Sequence, residues 1–168
     1  DYFPGGKMEL MGSLEASQKA GSLLEHFRKN NLPIFHVQHI SIQPGATFFL
    51  PGTEGGKIHS ALEPLAGEKV VQKHFPNSFR KTLLLETLRK QDVEDLVIAG
   101  AMSHMCVDAT VRAACDLGFS CTVIEDACAT KDLEFRGSLV PAAHVHTAFM
   151  AALHAAYAKV MTAQEFLP

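Results

Sequence analysis

The stretch "DLVIAGAMSHMCVDATVRAACDLGF" (95–119) joins a short apolar run to an alanine-rich helical pattern. The run "DLVIAG" (95–100) is typical of a buried β-strand, and the helix predicted after Cys106 stops at Gly118, a suitable left-handed cap. Cys106 therefore lies at a strand-to-helix junction, where the helix dipole and unpaired backbone N–H groups stabilise a thiolate. This position predicts a nucleophile, and the alternative is an inert cysteine of the core.

The same alternation of strand and helix runs along the chain. Ser13 is predicted to cap a helix that reaches about Asn30, Ser78 is predicted to cap a second, and the last begins near Pro141. Four further runs predict short strands: "PIFHVQ" (33–38), "KVVQ" (69–72), "SCTVIE" (120–125) and "AKVMTA" (158–163). Such alternation implies right-handed crossovers and a parallel sheet covered on both faces. The predicted class is α/β, a three-layer α/β/α fold with a doubly wound, mostly parallel sheet.

The composition describes one globular domain, residues 1–168. The chain is long enough to bury a core without disulfides or metals, and 47% hydrophobic with 20% charged residues excludes a disordered chain. A net charge of -3 gives no basic excess for nucleic acid, and no apolar run approaches the roughly 20 residues that cross a bilayer. We expect a cytoplasmic protein that binds neither nucleic acid nor membrane. Four cysteines without a CxxC pair are expected to be free thiols.

One long segment lacks clear periodicity. The stretch "HISIQPGATFFLPGTEGGKIHSALEPLAGE" (39–68) contains three prolines and five glycines. It is too long for an ordinary connection between a strand and a helix, so we expect it to shape a site. The alternative is a surface excursion without a role.

The junction at Cys106 carries a family resemblance. The segment "GAMSHMCVDATVRAACDLGF" (100–119) closely resembles the nucleophile segment of the isochorismatase-like cysteine hydrolases, which include nicotinamidases, ureidoacrylate hydrolases and isochorismatases. Four more segments match in order: "DYFPGGKMEL" (1–10), "VVQKHFPNSF" (70–79), "DLVIAG" (95–100) and "VIEDACAT" (123–130). The resemblance covers effectively the whole chain and implies the same doubly wound sheet.

The resemblance also implies an Asp-Lys-Cys triad. Cys106 would attack a substrate carbonyl and form a thioester that water hydrolyses. Lys73 matches the family's lysine, although a lysine at a strand end is more commonly exposed to solvent. The backbone N–H groups of Met102 and Cys106 would form the oxyanion hole, after a cis peptide bond between Ala101 and Met102.

Two departures from the family pattern concern the acid and the metal. Asp1 matches the second aspartate of the family's first motif and is not the candidate base, so the first strand and its catalytic aspartate are expected upstream of residue 1. Gln38 stands where nicotinamidases have a metal-binding aspartate. The spacing of His36, His39 and His59 does not demonstrate convergence on a metal. We therefore predict no metal and no cofactor.

Three residues are candidates for substrate binding. Gln38 resembles a polar residue that metal-free members turn toward the substrate. His104 lies two residues before the nucleophile and is predicted either to touch the substrate or to face solvent. Phe79, together with Phe48, would form an apolar wall, and the alternative for both is core packing. Asp126 is expected to be structural, and packing is expected of the remaining cysteines, Cys115, Cys121 and Cys128.

The leading functional hypothesis is a cysteine hydrolase that cleaves a C–N bond, amide or ureido, of a small molecule. One alternative is an isochorismatase-type enzyme that cleaves a vinyl ether and can dispense with the cysteine. The other is a non-catalytic binding protein that kept the fold. The resemblance further implies a homo-oligomer, a dimer or tetramer, while the identity of the substrate is not readable from the sequence.

Overall fold

The computed structural model describes all residues, 1–168. Each strand predicted from the sequence is present, which confirms the α/β class. The helices and strands follow in the order α1 (Ser13–Lys29), β1 (Phe35–His39), β2 (Lys69–Lys73), α2 (Leu84–Lys90), β3 (Asp95–Ala101), α3 (Asp108–Asp116), β4 (Ser120–Ala129), β5 (Leu133–Phe135), β6 (Ser138–Val140), α4 (Ala142–Ala156), β7 (Lys159–Met161) and α5 (Ala163–Phe166). None of these helices combines the length and the apolar character needed to span a membrane.

The parallel strands form two groups. Strand β1 pairs with β2, so that His39 lies opposite Lys73 at their carboxyl ends. Strand β4 lies between β3 and β7 and pairs with both in parallel. A cleft lined by residues of α1, β1, β3 and β4 separates the two groups. The short hairpin of β5 and β6 pairs only with itself, and the sequence analysis did not predict it.

Strand β4 is buried on both faces, which produces the three layers. Successive residues of a strand point to opposite faces. Val123 therefore packs with Val111 and Leu153 on the side of α3 and α4, while the neighbouring Ile124 packs with Leu23 of α1 on the other side. Val123 and Ile124 are both completely buried. The central strand is thus fixed by apolar contacts before any functional side chain is considered.

The ends of the helices agree only partly with the sequence analysis. Gly118 adopts a left-handed conformation with φ of 94° after α3, as predicted. Helix α1 begins at Ser13, but its N-cap is Gly12. The predicted cap at Ser78 is wrong, because α2 begins at Leu84. Ser78 instead bonds the hydroxyl of Thr110 through its N–H (3.1 Å) and its hydroxyl group (3.0 Å).

The segment 39–68 is tied to the fold at its far end through Glu68. The carboxylate accepts two hydrogen bonds from Arg28 (2.7 and 2.8 Å), one from the ring of His36 (2.8 Å) and one from the N–H of Leu65 (2.8 Å). The Arg28 guanidinium, chiefly, holds the pKa of Glu68 at about 2. The end of the segment is therefore anchored to α1 and β1 by a largely buried charge.

The first prediction concerns the core. Leu153→Ala should lower the free energy of unfolding by about 2–5 kcal/mol, because it opens a cavity at a completely buried position. Leu139→Ala removes the same atoms from a side chain that is 65% exposed and should change it by less than about 0.5 kcal/mol. Chemical denaturation of both variants measures the difference, and equal losses would contradict the assigned core.

The second prediction concerns acid stability. The pKa of Glu68 is depressed from 4.5 in the unfolded chain, so its ionised form stabilises the fold above about pH 4.5, and this stabilisation is lost as the pH falls toward 2. Glu68→Gln should therefore lower the stability at pH 6, and the difference from the wild type should shrink steadily below pH 4.5.

The control for this titration is Glu54→Gln. Glu54 pairs only with Lys57 at the surface, and its side chain is 88% exposed. Exposed pairs of this kind contribute little to stability. Urea denaturation from pH 2 to 7 should therefore show a pH-dependent difference for Glu68→Gln alone. A difference that is constant over this range would contradict the assigned ion pair.

Candidate active site

The chain turns sharply where β3 ends. The peptide bond between Ala101 and Met102 is cis, as the resemblance implied. Residues Ser103–Val107 then form a single π-helical turn, here called the π turn, which leads into α3. The carbonyl of Met102 accepts hydrogen bonds from the N–H groups of Met105 and Val107, both at 3.1 Å. Cys106 lies within this turn, ahead of α3, and is only 8% exposed.

Lys73 ends strand β2 and points its ammonium group at Cys106. The side chain is 4% exposed, so the alternative of a solvated lysine is wrong. The ammonium interacts with the Cys106 sulfur and donates to the carbonyl of Pro76. Burial lowers the pKa of Lys73, while the neighbouring Cys106 opposes this by favouring the charged amine. A cation held beside a thiol favours the thiolate, which is the nucleophilic form.

Tyr2 supplies a second polar group beside the thiol, and the sequence analysis missed it. Its hydroxyl interacts with Cys106, and burial, followed by that contact, raises the pKa of the phenol. The ring packs edge-on against Phe49, with centroids 4.6 Å apart. The only signal in the sequence was that Tyr2 belongs to the segment 1–10, which the resemblance places near the site. The phenol remains protonated at neutral pH and can donate a hydrogen bond toward the sulfur.

His39 lies at the same edge of the sheet. It pairs in register with Lys73, and its Nδ1 atom is buried without a hydrogen-bond partner. Burial lowers the pKa of His39, and the nearby Lys73 and His74 lower it further. The ring is therefore held neutral beside the ammonium group.

The chain was compared with known proteins. A family model described as the isochorismatase domain matches residues 1–165. The chain belongs to the isochorismatase family. YddQ of Bacillus subtilis (strain 168), an uncharacterized isochorismatase family protein, is 53% identical over 99% of this chain and 93% of the relative. An isochorismatase-type crystal structure from Oleispira antarctica has a TM-score of 0.94 and 50% identity, over 98% of this chain and 89% of that chain.

Other members of the isochorismatase family differ in where they act and in what they act on. Isc1 of Verticillium dahliae, a secreted isochorismatase effector, is 40% identical over 76% of this chain and 67% of the relative. The cytoplasmic location therefore stays a prediction. Maleamate amidohydrolase of Pseudomonas putida is 27% identical over 73% of this chain and 64% of the relative. Ureidoacrylate amidohydrolase of Variovorax paradoxus is 30% identical over 48% of this chain and 32% of the relative. The relatives thus include amidohydrolases.

Two of the three histidines considered for a metal have partners of their own, and the third, His39, lies opposite Lys73 with its Nδ1 atom unpaired. His36 bonds the carboxylate of Glu68 at 2.8 Å. His59 accepts a hydrogen bond from the N–H of Ala61 (3.3 Å) and stacks on the ring of Phe3, with centroids 3.7 Å apart. No group of three possible ligands converges anywhere in the chain. These donors therefore do not form a three-ligand site, and the absence of a metal stays a prediction.

The predicted substrate-binding residues occupy different surroundings. Gln38 donates to the carbonyl of Gly56 (2.8 Å), so its amide also holds the segment 39–68. His104 bonds the hydroxyl of Thr130, and burial lowers its pKa. Phe79 stacks on Phe119 with centroids 6.1 Å apart, and both pack in the main core, which corresponds to the packing alternative. Of the three candidates for substrate binding, His104 is the one that lies on the π turn together with Cys106.

The remaining polar residues have structural surroundings. Asp126 accepts a hydrogen bond from the N–H of Ala163 at 2.7 Å, in agreement with a structural role. All four cysteines are free thiols, as predicted. Burial raises the pKa of Cys121 to about 11 and that of Cys128 to about 12, so both are protonated at neutral pH. Cys106 is the thiol that has a cation beside it.

The third prediction concerns the reactivity of the thiols. At neutral pH, iodoacetamide should modify Cys106 before Cys115, Cys121 and Cys128, because only Cys106 lies next to an ammonium group. Lys73→Met should slow the modification of Cys106 about tenfold, because the cation that favours the thiolate is lost. Peptide mapping by mass spectrometry at timed intervals measures both rates.

The matched control is Lys69→Met. Lys69 begins the same strand, is exposed to solvent and lies at the end away from Cys106. It should leave the rate for Cys106 unchanged. Equal rates for all four cysteines, or equal effects of the two lysine substitutions, would contradict the assigned pairing.

Proposed function

We propose that this chain hydrolyses a C–N bond, amide or ureido, of a small molecule through a thioester on Cys106. The observation that carries the proposal is the buried ammonium of Lys73 against the thiol of Cys106. A buried cation without a function is costly, because desolvation of a charge opposes folding. The pairing is accounted for if the thiolate is the working form.

The reaction proceeds in two halves. The thiolate attacks the substrate carbonyl, and the backbone N–H groups of Met102 and Cys106 are assigned to hold the oxyanion. The amine or ammonia leaves with a proton, and the thioester remains. Water then attacks the thioester, the acid is released, and the thiolate returns. The resemblance assigns the proton transfers to the aspartate of the triad, and the charge of Lys73 favours the ionised forms of the groups beside it.

The relatives support the amide class of substrate. Maleamate and ureidoacrylate amidohydrolases act on small amide or ureido compounds by name. Streptothricin hydrolase of Streptomyces noursei is 34% identical over 73% of this chain, although this chain covers only 40% of that relative. The reacting carbonyl would lie among three ionisable groups, which are the ammonium of Lys73, the neutral ring of His39 and the protonated phenol of Tyr2.

Assembly and cofactors belong to the same proposal. We assign no cofactor and a small-molecule substrate, without nucleic acid or membrane as a partner. We further propose a homo-oligomer, a dimer or tetramer. The exposed apolar side chains of the β5–β6 hairpin support this, since Phe135 is 71% and Leu139 65% exposed.

The fourth prediction separates the amidase from its alternatives. Cys106→Ala should lower hydrolysis of the best substrate in a panel of small amides, including maleamate and ureidoacrylate, by at least about a thousandfold. The loss follows because no other group can form the thioester. The rate is measured as the release of ammonia or amine, which is detected in a coupled assay.

The control is Cys115→Ala, which removes a thiol that has no assigned role and should retain full activity. Cleavage of isochorismate that survives Cys106→Ala would favour the vinyl-ether hydrolase instead. Tight binding of a panel compound without turnover by the wild type would favour the non-catalytic protein. Both outcomes would contradict the proposed amidase.

A further inference from the structure

A chain of hydrogen bonds lies behind the π turn, on the side of α4. The Ser103 hydroxyl lies 2.9 Å from Nδ1 of His146, and Nε2 of His146 lies 3.2 Å from a carboxylate oxygen of Glu125. Ser103 begins the π turn, His146 belongs to α4, and Glu125 belongs to β4. The three residues thus link three elements of the fold at the turn that carries Cys106.

The order Ser-His-Glu is not a second hydrolytic site. Ser103 is completely buried, at 0% exposure, so no substrate can reach its hydroxyl. That hydroxyl also lies 3.3 Å from the carbonyl of Ala129, which is buried as well. The three residues therefore act through the part of the backbone that they hold in place.

The donors and acceptors of the three side chains determine the direction of each hydrogen bond between them. A carboxylate only accepts, so Nε2 of His146 carries the proton that is donated to Glu125. In the neutral ring, Nδ1 is then an acceptor, and the Ser103 hydroxyl donates to it. In the charged ring, Nδ1 donates to the Ser103 oxygen, and the hydroxyl proton turns to the carbonyl of Ala129. The link between His146 and Ser103 persists in both protonation states.

The link acts on the backbone that flanks the nucleophile. Ser103 follows Met102 directly and lies three residues before Cys106, so it falls between the two N–H groups assigned to the oxyanion hole. A completely buried side chain fixes its own backbone. A displacement of about 1 Å in such a position can cost as much as a hundredfold in rate.

We propose that His146 is a positioning residue, which holds the π turn through Ser103 so that Cys106 and its oxyanion donors keep the reactive geometry. This inference rests on the proposed function of Cys106 as the nucleophile. His146 touches neither the substrate nor the reacting sulfur. Glu125 orients its ring from the opposite side.

Two substitutions of His146 separate its two hydrogen bonds. The side-chain amide of asparagine stands near the place of Nδ1, so His146→Asn can keep the bond to Ser103. The amide of glutamine stands near the place of Nε2, so His146→Gln keeps Glu125 and loses Ser103. If His146 contributed only to stability, His146→Asn would not be expected to react faster than His146→Gln. His154→Gln is the matched control, because His154 lines the same surface pocket as His146 and Glu125 and forms no hydrogen bond to Ser103.

The experiment measures the rate of Cys106 alkylation by iodoacetamide, kcat and KM on the best amide, and the thermal unfolding midpoint. His146→Gln should lower both the alkylation rate and kcat about tenfold, with KM changed less than about twofold. His146→Asn and His154→Gln should stay within about twofold of the wild type in all three kinetic values. Ser103→Ala should resemble His146→Gln, and the double variant should be no slower than either single variant, because both remove one interaction.

Each outcome decides the question. Alkylation of Cys106 that is selective in the wild type and unchanged in His146→Gln would overturn this inference and leave the nucleophile in place. Equal losses in His146→Asn and His146→Gln would also overturn it, because the bond to Ser103 would then be irrelevant. A wild type in which Cys106 reacts no faster than Cys115 would overturn the proposed function, and this inference with it.

Discussion

The buried ammonium of Lys73 is the constraint on which the candidate site depends. Removing an amine charge from water is costly unless polar partners replace the water. Here the partners are the Cys106 sulfur and the carbonyl of Pro76. The amine is delivered by the end of β2, and the sulfur by the turn that follows β3. Strand β2 is parallel to β1 and β3 is parallel to β4, so the amine and the sulfur each follow the carboxyl end of a parallel strand, which is where ligands of open α/β folds bind.

Much of the fold could be predicted because it follows from local pattern. Both β3 and β4 contain consecutive apolar residues, in the runs "VIAG" (97–100) and "TVIE" (122–125). Consecutive residues of a strand face opposite layers, and the structure buries Val123 and Ile124 in this way. Cys106 at a strand-to-helix junction was predictable for the same reason. The cap at Ser78 was not, because its hydroxyl bonds Thr110, which lies 32 residues further along the chain. The β5–β6 hairpin was not predicted from the sequence, because its strands are short and exposed.

The polar surroundings of Cys106 show where a single sequence stops being informative. Tyr2 and Cys106 are more than a hundred residues apart, His146 stands in no pattern that would single it out, and the sequence analysis considered His39 only as a metal ligand. Lysine is mostly exposed, so the burial of Lys73 contradicts what its residue type predicts, and only the resemblance indicated it. Phe79 was a candidate for substrate binding, and it packs against the main core, which is the alternative that the sequence analysis kept open.

The π turn and the segment 39–68 are held in place in different ways. The π turn is supported by buried residues of the strands and of α4, which leaves it little freedom to move. The segment 39–68 is held by contacts at separate points. The carboxylate of Asp1 accepts a hydrogen bond from the N–H of Phe49 (2.6 Å), the ring of Phe49 packs against Tyr2, and Gln38 donates to the carbonyl of Gly56. Because Phe49 packs against Tyr2, a change at Phe49 would reach a partner of Cys106, whereas changes at exposed positions such as Thr53 and Glu54 would not. The names of this chain's relatives show that members of the isochorismatase family act on different small molecules, and surface segments of this kind accept sequence changes more readily than the strands that position a site.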